Sequence, residues 1–202
     1  MGMGYKTFSE QNVKINSHNF DFFKGGHMKE KAIENLKIAV RTEIKGYNFY
    51  ITASNTLKDE HGKTVFRHLA KEEIEHINVL TAIGKSLEIG GSWLAYKDAV
   101  ALDFGKSSAP IFMEENELTK RLKENPTELN AVTIAMGAEE KAVDFYSGLI
   151  KAASEPDEKA VIGKILDMER NHLRLLRWER ESVIHTGFWA DFIEFNLEKE
   201  LE

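Results

Sequence analysis

Apolar residues return every three or four positions over most of the chain, the period of an amphipathic helix and not of a strand. Over 28–57 they recur as Ile33, Leu36, Val40, Tyr47 and Tyr50, and over 59–87 as Phe66, Leu69, Leu80, Ile83 and Leu87. The link between these runs is short and holds Asp59, Glu60 and Gly62, which predicts antiparallel neighbours. Gly90 and Gly91 then close the second helix. A third long helix is expected from Thr127, a capping residue, to about 153. A fourth begins at Pro156, in the first turn where proline belongs, and runs to about 184. The chain's three prolines (Pro110, Pro126 and Pro156) all fall between these patterns. Residues 90–126 form a long crossover with a short helix expected at 114–123. The pattern predicts an all-α protein: an antiparallel four-helix bundle over 28–184, with short links inside each pair and one long crossover.

The two ends have no such period. Residues 1–27 are expected to form an N-terminal arm, extended or with a short strand, and the Gly-Gly-His-Met junction at 25–28 is read as native sequence. Residues 185–202 form a C-terminal tail, aromatic at Phe188, Trp189, Phe192 and Phe195 and acidic at its end. Burial of these aromatics as a satellite cluster on the bundle is the expectation; a subunit contact is the alternative.

Composition narrows the chemistry. A length of 202 residues is enough for one core without covalent staples. The absence of cysteine excludes disulfides, thiolate zinc, iron–sulfur ligation and a cysteine nucleophile. A net charge of −6 with no basic run argues against a nucleic-acid partner. No apolar stretch is long enough to span a membrane and no signal-peptide core opens the chain, so a cytoplasmic protein is expected. Any metal would have to be held by carboxylates and imidazoles.

Those residues are repeated. A shift of 96 residues aligns Glu43 with Glu139, Phe49-Tyr50 with Phe145-Tyr146, Glu73 with Glu169, His76 with His172 and Leu80 with Leu176, without a gap. Each half carries one glutamate on its first helix and Glu-x-x-His on its second. Glu-x-x-His alone is a weak signal in a glutamate-rich chain. Of the seven histidines, however, only His76 and His172 have glutamate three positions before them, and both fall at the repeat offset.

The helical period places all six residues on the core face. Glu73 and His76 fill successive positions of the stripe Phe66, Leu69, Leu80, Ile83, Leu87, and Glu169 and His172 lie between Ile165 and Leu176. Glu43 shares a stripe with Leu36, Val40 and Tyr47, and Glu139 lies between Val132 and Tyr146. Each unpaired buried ion would cost several kcal/mol, against a typical domain stability of about 5–15 kcal/mol. No basic residue shares these stripes at matching depth. Two divalent cations would balance four carboxylates, and two neutral imidazoles would complete the ligation. The other histidines, and Glu72, Glu75 and Glu140, are expected to be solvated or to support the ligands. Tyr50 and Tyr146 are expected to be core aromatics with satisfied hydroxyls; hydrogen bonding to ligands, or electron donation, is the alternative.

With these motifs the chain resembles the ferritin-like di-iron carboxylate superfamily, most closely its rubrerythrin-like branch, over about 28–184; Ala109 to Phe112 of the crossover add to the likeness. The resemblance implies a ferritin-like bundle in which Glu73 and Glu169 bridge two metals, Glu43 and His76 complete one, and Glu139 and His172 the other. It implies two iron ions, with manganese as the alternative, and a redox enzyme that reduces hydrogen peroxide or dioxygen. Iron oxidation for storage or detoxification is the second reading, and a purely structural bundle the third. Rubrerythrin proper usually carries a four-cysteine rubredoxin module, absent here, so electrons must come from a separate donor such as rubredoxin. It also usually has a glutamate three residues beyond the third-helix ligand, where this chain has Ala142. A homodimer or higher homo-oligomer is expected.

Overall fold

A computed structural model describes residues 17–102 and 115–190 of the chain. Six α-helices occupy them: α1 (Ser17–Thr56), α2 (Glu60–Glu88), α3 (Tyr96–Ala101), α4 (Glu117–Glu124), α5 (Glu128–Ala152) and α6 (Pro156–Thr186). Helices α1, α2, α5 and α6 are the expected four. The closest pairings are α1 with α2 and α5 with α6, and the short links make each pair antiparallel.

The helix ends follow from local chemistry. Asp59 caps α2 by accepting from the backbone N–H of His61 at 2.8 Å, and the Thr127 hydroxyl caps α5 through Asn130 N–H. Pro156 opens α6, where its missing N–H costs nothing. Gly187 ends α6 in the left-handed conformation at φ 81°, with its N–H bonded to Val183.

Three differences from the sequence reading stand out. Helix α1 begins at Ser17, so residues 17–27, expected in an arm, continue the first helix. A helix once nucleated propagates cheaply, and Gly25 and Gly26 each cost only about 1 kcal/mol relative to alanine. The crossover holds an unexpected short helix, α3, and its second helix begins at Glu117 instead of 114. Asn116 decides that start: it caps α4 in a reciprocal box with Thr119 and donates to the Lys45 carbonyl of α1 at 3.1 Å. Ala109 to Phe112, Phe192, Phe195 and residues 1–16 lie outside the described residues.

The core is divided. One apolar cluster packs Tyr50, Phe66, Leu69, Val132, Ala135 and Leu176; the other packs Leu36, Leu80, Ile83, Tyr146, Ile162 and Ile165. Between them, at one level of the bundle, lies a layer of buried charge.

Of the C-terminal aromatics, Trp189 is buried and Phe188 is 69 % exposed. The Trp189 indole meets Phe66 edge-on at 5.5 Å and donates to Glu128 at 2.8 Å. The other Glu128 oxygen accepts from the backbone N–H of Lys58 at 3.0 Å, so one carboxylate ties the α1–α2 turn to the start of α5 and to the tail. Indole and α2 approach closely at Gly62, where a Cβ would lie 2.5 Å from the ring. No described helix is long and apolar enough to cross a membrane.

Candidate metal centre

The buried layer consists of Glu43 from α1, Glu73 and His76 from α2, Glu139 from α5, and Glu169 and His172 from α6, none more than 3 % exposed. All six core-facing residues of the repeat therefore meet in one place. They form two overlapping groups, Glu43–Glu73–His76–Glu169 and Glu73–Glu139–Glu169–His172, each with its donor atoms within 4.8 Å of one another. Glu73 and Glu169 belong to both. Each is the glutamate of a Glu-x-x-His turn, which puts it at the bundle axis, beside its own histidine and within reach of the opposite one.

Both imidazoles turn Nδ1 toward the carboxylates. His76 Nδ1 lies 3.0 Å from Glu169, 3.4 Å from Glu43 and 3.6 Å from Glu73. His172 Nδ1 lies 3.5 Å from Glu169, 3.6 Å from Glu139 and 3.7 Å from Glu73. The rings stack at 5.6 Å.

Protein groups alone share this charge unevenly. Burial, reinforced by Glu43 and Glu169, pushes the Glu73 carboxyl well above its usual range. Burial and the Glu169 charge push Glu139 up to about 8. Burial acts on Glu169 the same way, but the two neighbouring imidazoles outweigh it and hold Glu169 low. Burial would make both histidines less basic; the surrounding carboxylates overcome it and favour imidazolium.

Two protonated rings still leave the layer under-satisfied. Glu73 Oε2, Glu139 Oε2, Glu169 Oε1 and His172 Nδ1 are buried without a well-aligned hydrogen bond. Close-packed donor atoms that face one another without bonding suit a shared cation, and four carboxylates with two imidazoles are an oxygen–nitrogen set suited to divalent transition metals. The residues fit a two-metal centre.

The tyrosines cross between the halves. The Tyr50 hydroxyl donates to Glu139, and the Tyr146 hydroxyl donates to Glu43. Burial first, and the carboxylates next, push both phenols well above their ordinary value, so they stay protonated donors. Ligand contact by these tyrosines was the alternative expectation; the exchange between halves was not expected, although the repeat's approximate two-fold is consistent with it.

Of the supporting glutamates, Glu72 Oε2 is 2.6 Å from His172 Nε2, Glu75 accepts from the Tyr96 hydroxyl at 2.8 Å, and Glu140 pairs with exposed Arg177. Tyr96, on the unexpected helix α3, was not singled out by sequence, because nothing in a lone crossover tyrosine marks it. A cavity of about 380 Å³ opens beside α4 and reaches Glu43, Glu73, Glu139 and Glu169, with Gly46, Leu118, Ala138, Ala142 and Phe145 among its walls.

The similarities of the chain agree with this geometry. No curated protein sequence matches it. A solved structure of a hypothetical protein from Pyrococcus furiosus is 26 % identical, with a TM-score of 0.54 over 76 % of this chain and 90 % of that one. The rubrerythrin family model matches residues 34–179, a span that contains all six clustered residues. The chain belongs to the rubrerythrin family.

Proposed function

We propose that the protein is a di-iron oxidoreductase that reduces hydrogen peroxide or dioxygen with electrons from a separate donor such as rubredoxin. The observation that carries this reading is the pair of overlapping donor groups that share Glu73 and Glu169 at the inner end of a solvent-reaching cavity. Glu73 and Glu169 would bridge two ions, Glu43 and His76 would complete one, and Glu139 and His172 the other. When bound, a ferrous pair would supply the two electrons that cleave an O–O bond.

The chain's own residues do the rest. Tyr146 and Tyr50 hold Glu43 and Glu139, the carboxylates contributed singly by α1 and α5, in fixed orientations. The walls near Ala138, Ala142, Leu118 and Phe145 give a small oxidant an apolar approach to the carboxylates. With Ala142 where the family usually has glutamate, the donor set is four glutamates and two histidines, with no additional carboxylate at that position to exchange.

The test is anaerobic metal loading with metal analysis, followed by mixing with peroxide and with oxygen. Two iron ions per chain, rapid oxidation by peroxide or oxygen, and loss of both loading and oxidation in Glu73→Ala are expected. Manganese in the isolated protein would change the metal, since this donor set accepts either. Continued uptake of added iron into a large assembly would favour iron oxidation for storage. A loaded protein inert to both oxidants would sink the redox reading.

A further inference from the structure

The repeat pairs the two halves at every donor residue, but not at the next residue out. Glu72 immediately precedes Glu73 and reaches across the bundle to the far side of the other half's imidazole, with Oε2 2.6 Å from His172 Nε2. Its second oxygen lies 3.5 Å from His68 Nε2, which braces the carboxylate. The repeat-equivalent of Glu72 is Met168, and that of His68 is Lys164. Met168 cannot do the same work: its sulfur is a weak acceptor and takes a 3.4 Å contact from the Tyr96 hydroxyl. His76 Nε2 is fully buried with no hydrogen-bond partner among the described residues.

This difference bears on metal binding. Both histidines present Nδ1 to the carboxylate cluster, so each must keep its other nitrogen protonated to leave the Nδ1 lone pair available. A carboxylate at Nε2 fixes that tautomer, locks the ring's orientation and raises the basicity of the donor nitrogen. Among the described residues, His172 has such a partner and His76 does not.

We propose that Glu72 makes the two metal positions inequivalent, with the Glu139–His172 position binding more tightly than the Glu43–His76 position. The inference rests on the two-metal reading of the site. Glu72 acts through His172 and is a positioning residue.

The experiment is a calorimetric titration of the metal-free full chain with Co(II), also followed by visible absorption. Two binding steps of different affinity are expected. Glu139→Ala should remove the tighter step and Glu43→Ala the weaker, which assigns them. Glu72→Ala should weaken the tighter step about 10–100-fold and leave the weaker step in place. Glu72→Gln, which keeps an acceptor oxygen without the charge, should recover part of that loss. A merely structural role would weaken both steps together, so selective weakening of the tighter step is the readout that identifies a positioning role. Two equal steps in the wild type, or a Glu72→Ala variant that weakens both steps, neither step or only the weaker one, would overturn the inference. Failure of the wild type to bind Co(II) would instead overturn the two-metal reading itself.

Discussion

The Tyr50 hydroxyl donates to Glu139 on the opposite helix pair and not to Glu43, seven positions before it on its own helix. Tyr146 returns the bond to Glu43. Glutamate and tyrosine on α1 and α5 are therefore cross-linked twice. Tyr50 belongs to one apolar cluster and Tyr146 to the other, so the two bonds also stitch the divided core together.

Removing either hydroxyl should have similar consequences, because both are buried donors to a carboxylate. Tyr50→Phe and Tyr146→Phe are each expected to destabilise the metal-free protein by about 1–3 kcal/mol, the cost of leaving a buried carboxyl oxygen without its donor. Urea unfolding of the two variants measures this. A large loss in one and none in the other would contradict the two-fold arrangement.

The cavity beside α4 predicts a separation of metal binding from oxidant access. Ala142 lines it and is itself no metal donor. Ala142→Leu should fill space next to the carboxylates and slow oxidation by peroxide by about tenfold or more, equivalent to a barrier raised by about 1.4 kcal/mol. Metal content should remain at the wild-type value. Stopped-flow mixing of the anaerobically loaded variant, with metal analysis of the same sample, reads both quantities.

Loading should release protons. Carboxylates around His76 and His172 favour the imidazolium, and Glu139 is pushed up to about 8. A metal needs these donors deprotonated, so protons compete with it. Apparent affinity should rise as pH increases from about 6 to 8 and level off once the donors have lost their protons. Calorimetry in buffers of different ionisation enthalpy counts the protons released, and an affinity that falls across this range would contradict the charge balance described.

At Gly62 the usual helix rule should reverse. Glycine to alanine within a helix ordinarily stabilises by about 1 kcal/mol. Here the new methyl would lie 2.5 Å from the Trp189 indole. Gly62→Ala should instead destabilise by about 1–3 kcal/mol through overpacking and expose the indole. A red-shifted Trp189 emission, isolated by replacing Trp93 and Trp178 with phenylalanine, reports the displacement.

Much of the fold was legible because its signals are local. Apolar period, Thr127, Pro156 and the Gly90-Gly91 pair marked the four long helices, and the start of α5 and of α6 fell where those residues put them. Helix α3 and the start of α1 were not legible. A six-residue helix has too few positions to show a period, and an extension of a helix already nucleated needs no amphipathic face.

By itself, the sequence determined that four glutamates and two histidines face a helical core at repeated positions, since a duplicated spacing on a 3.6-residue period leaves few other arrangements. Their number and type also limit the chemistry to oxygen and nitrogen ligation without cysteine. Which carboxylates are shared, which tyrosine serves which glutamate, and that Glu72 reaches His172 follow only from how the helices pack in three dimensions. Those are contacts between residues some 30 to 100 positions apart. They depend on how the two helix pairs are rotated and set against each other, which no local period encodes. Trp189 is a parallel case: its aromatic character was plain in the chain, but only the packed end of the bundle, with Gly62 clearing the space and Glu128 accepting the indole N–H, gave it a place in the core.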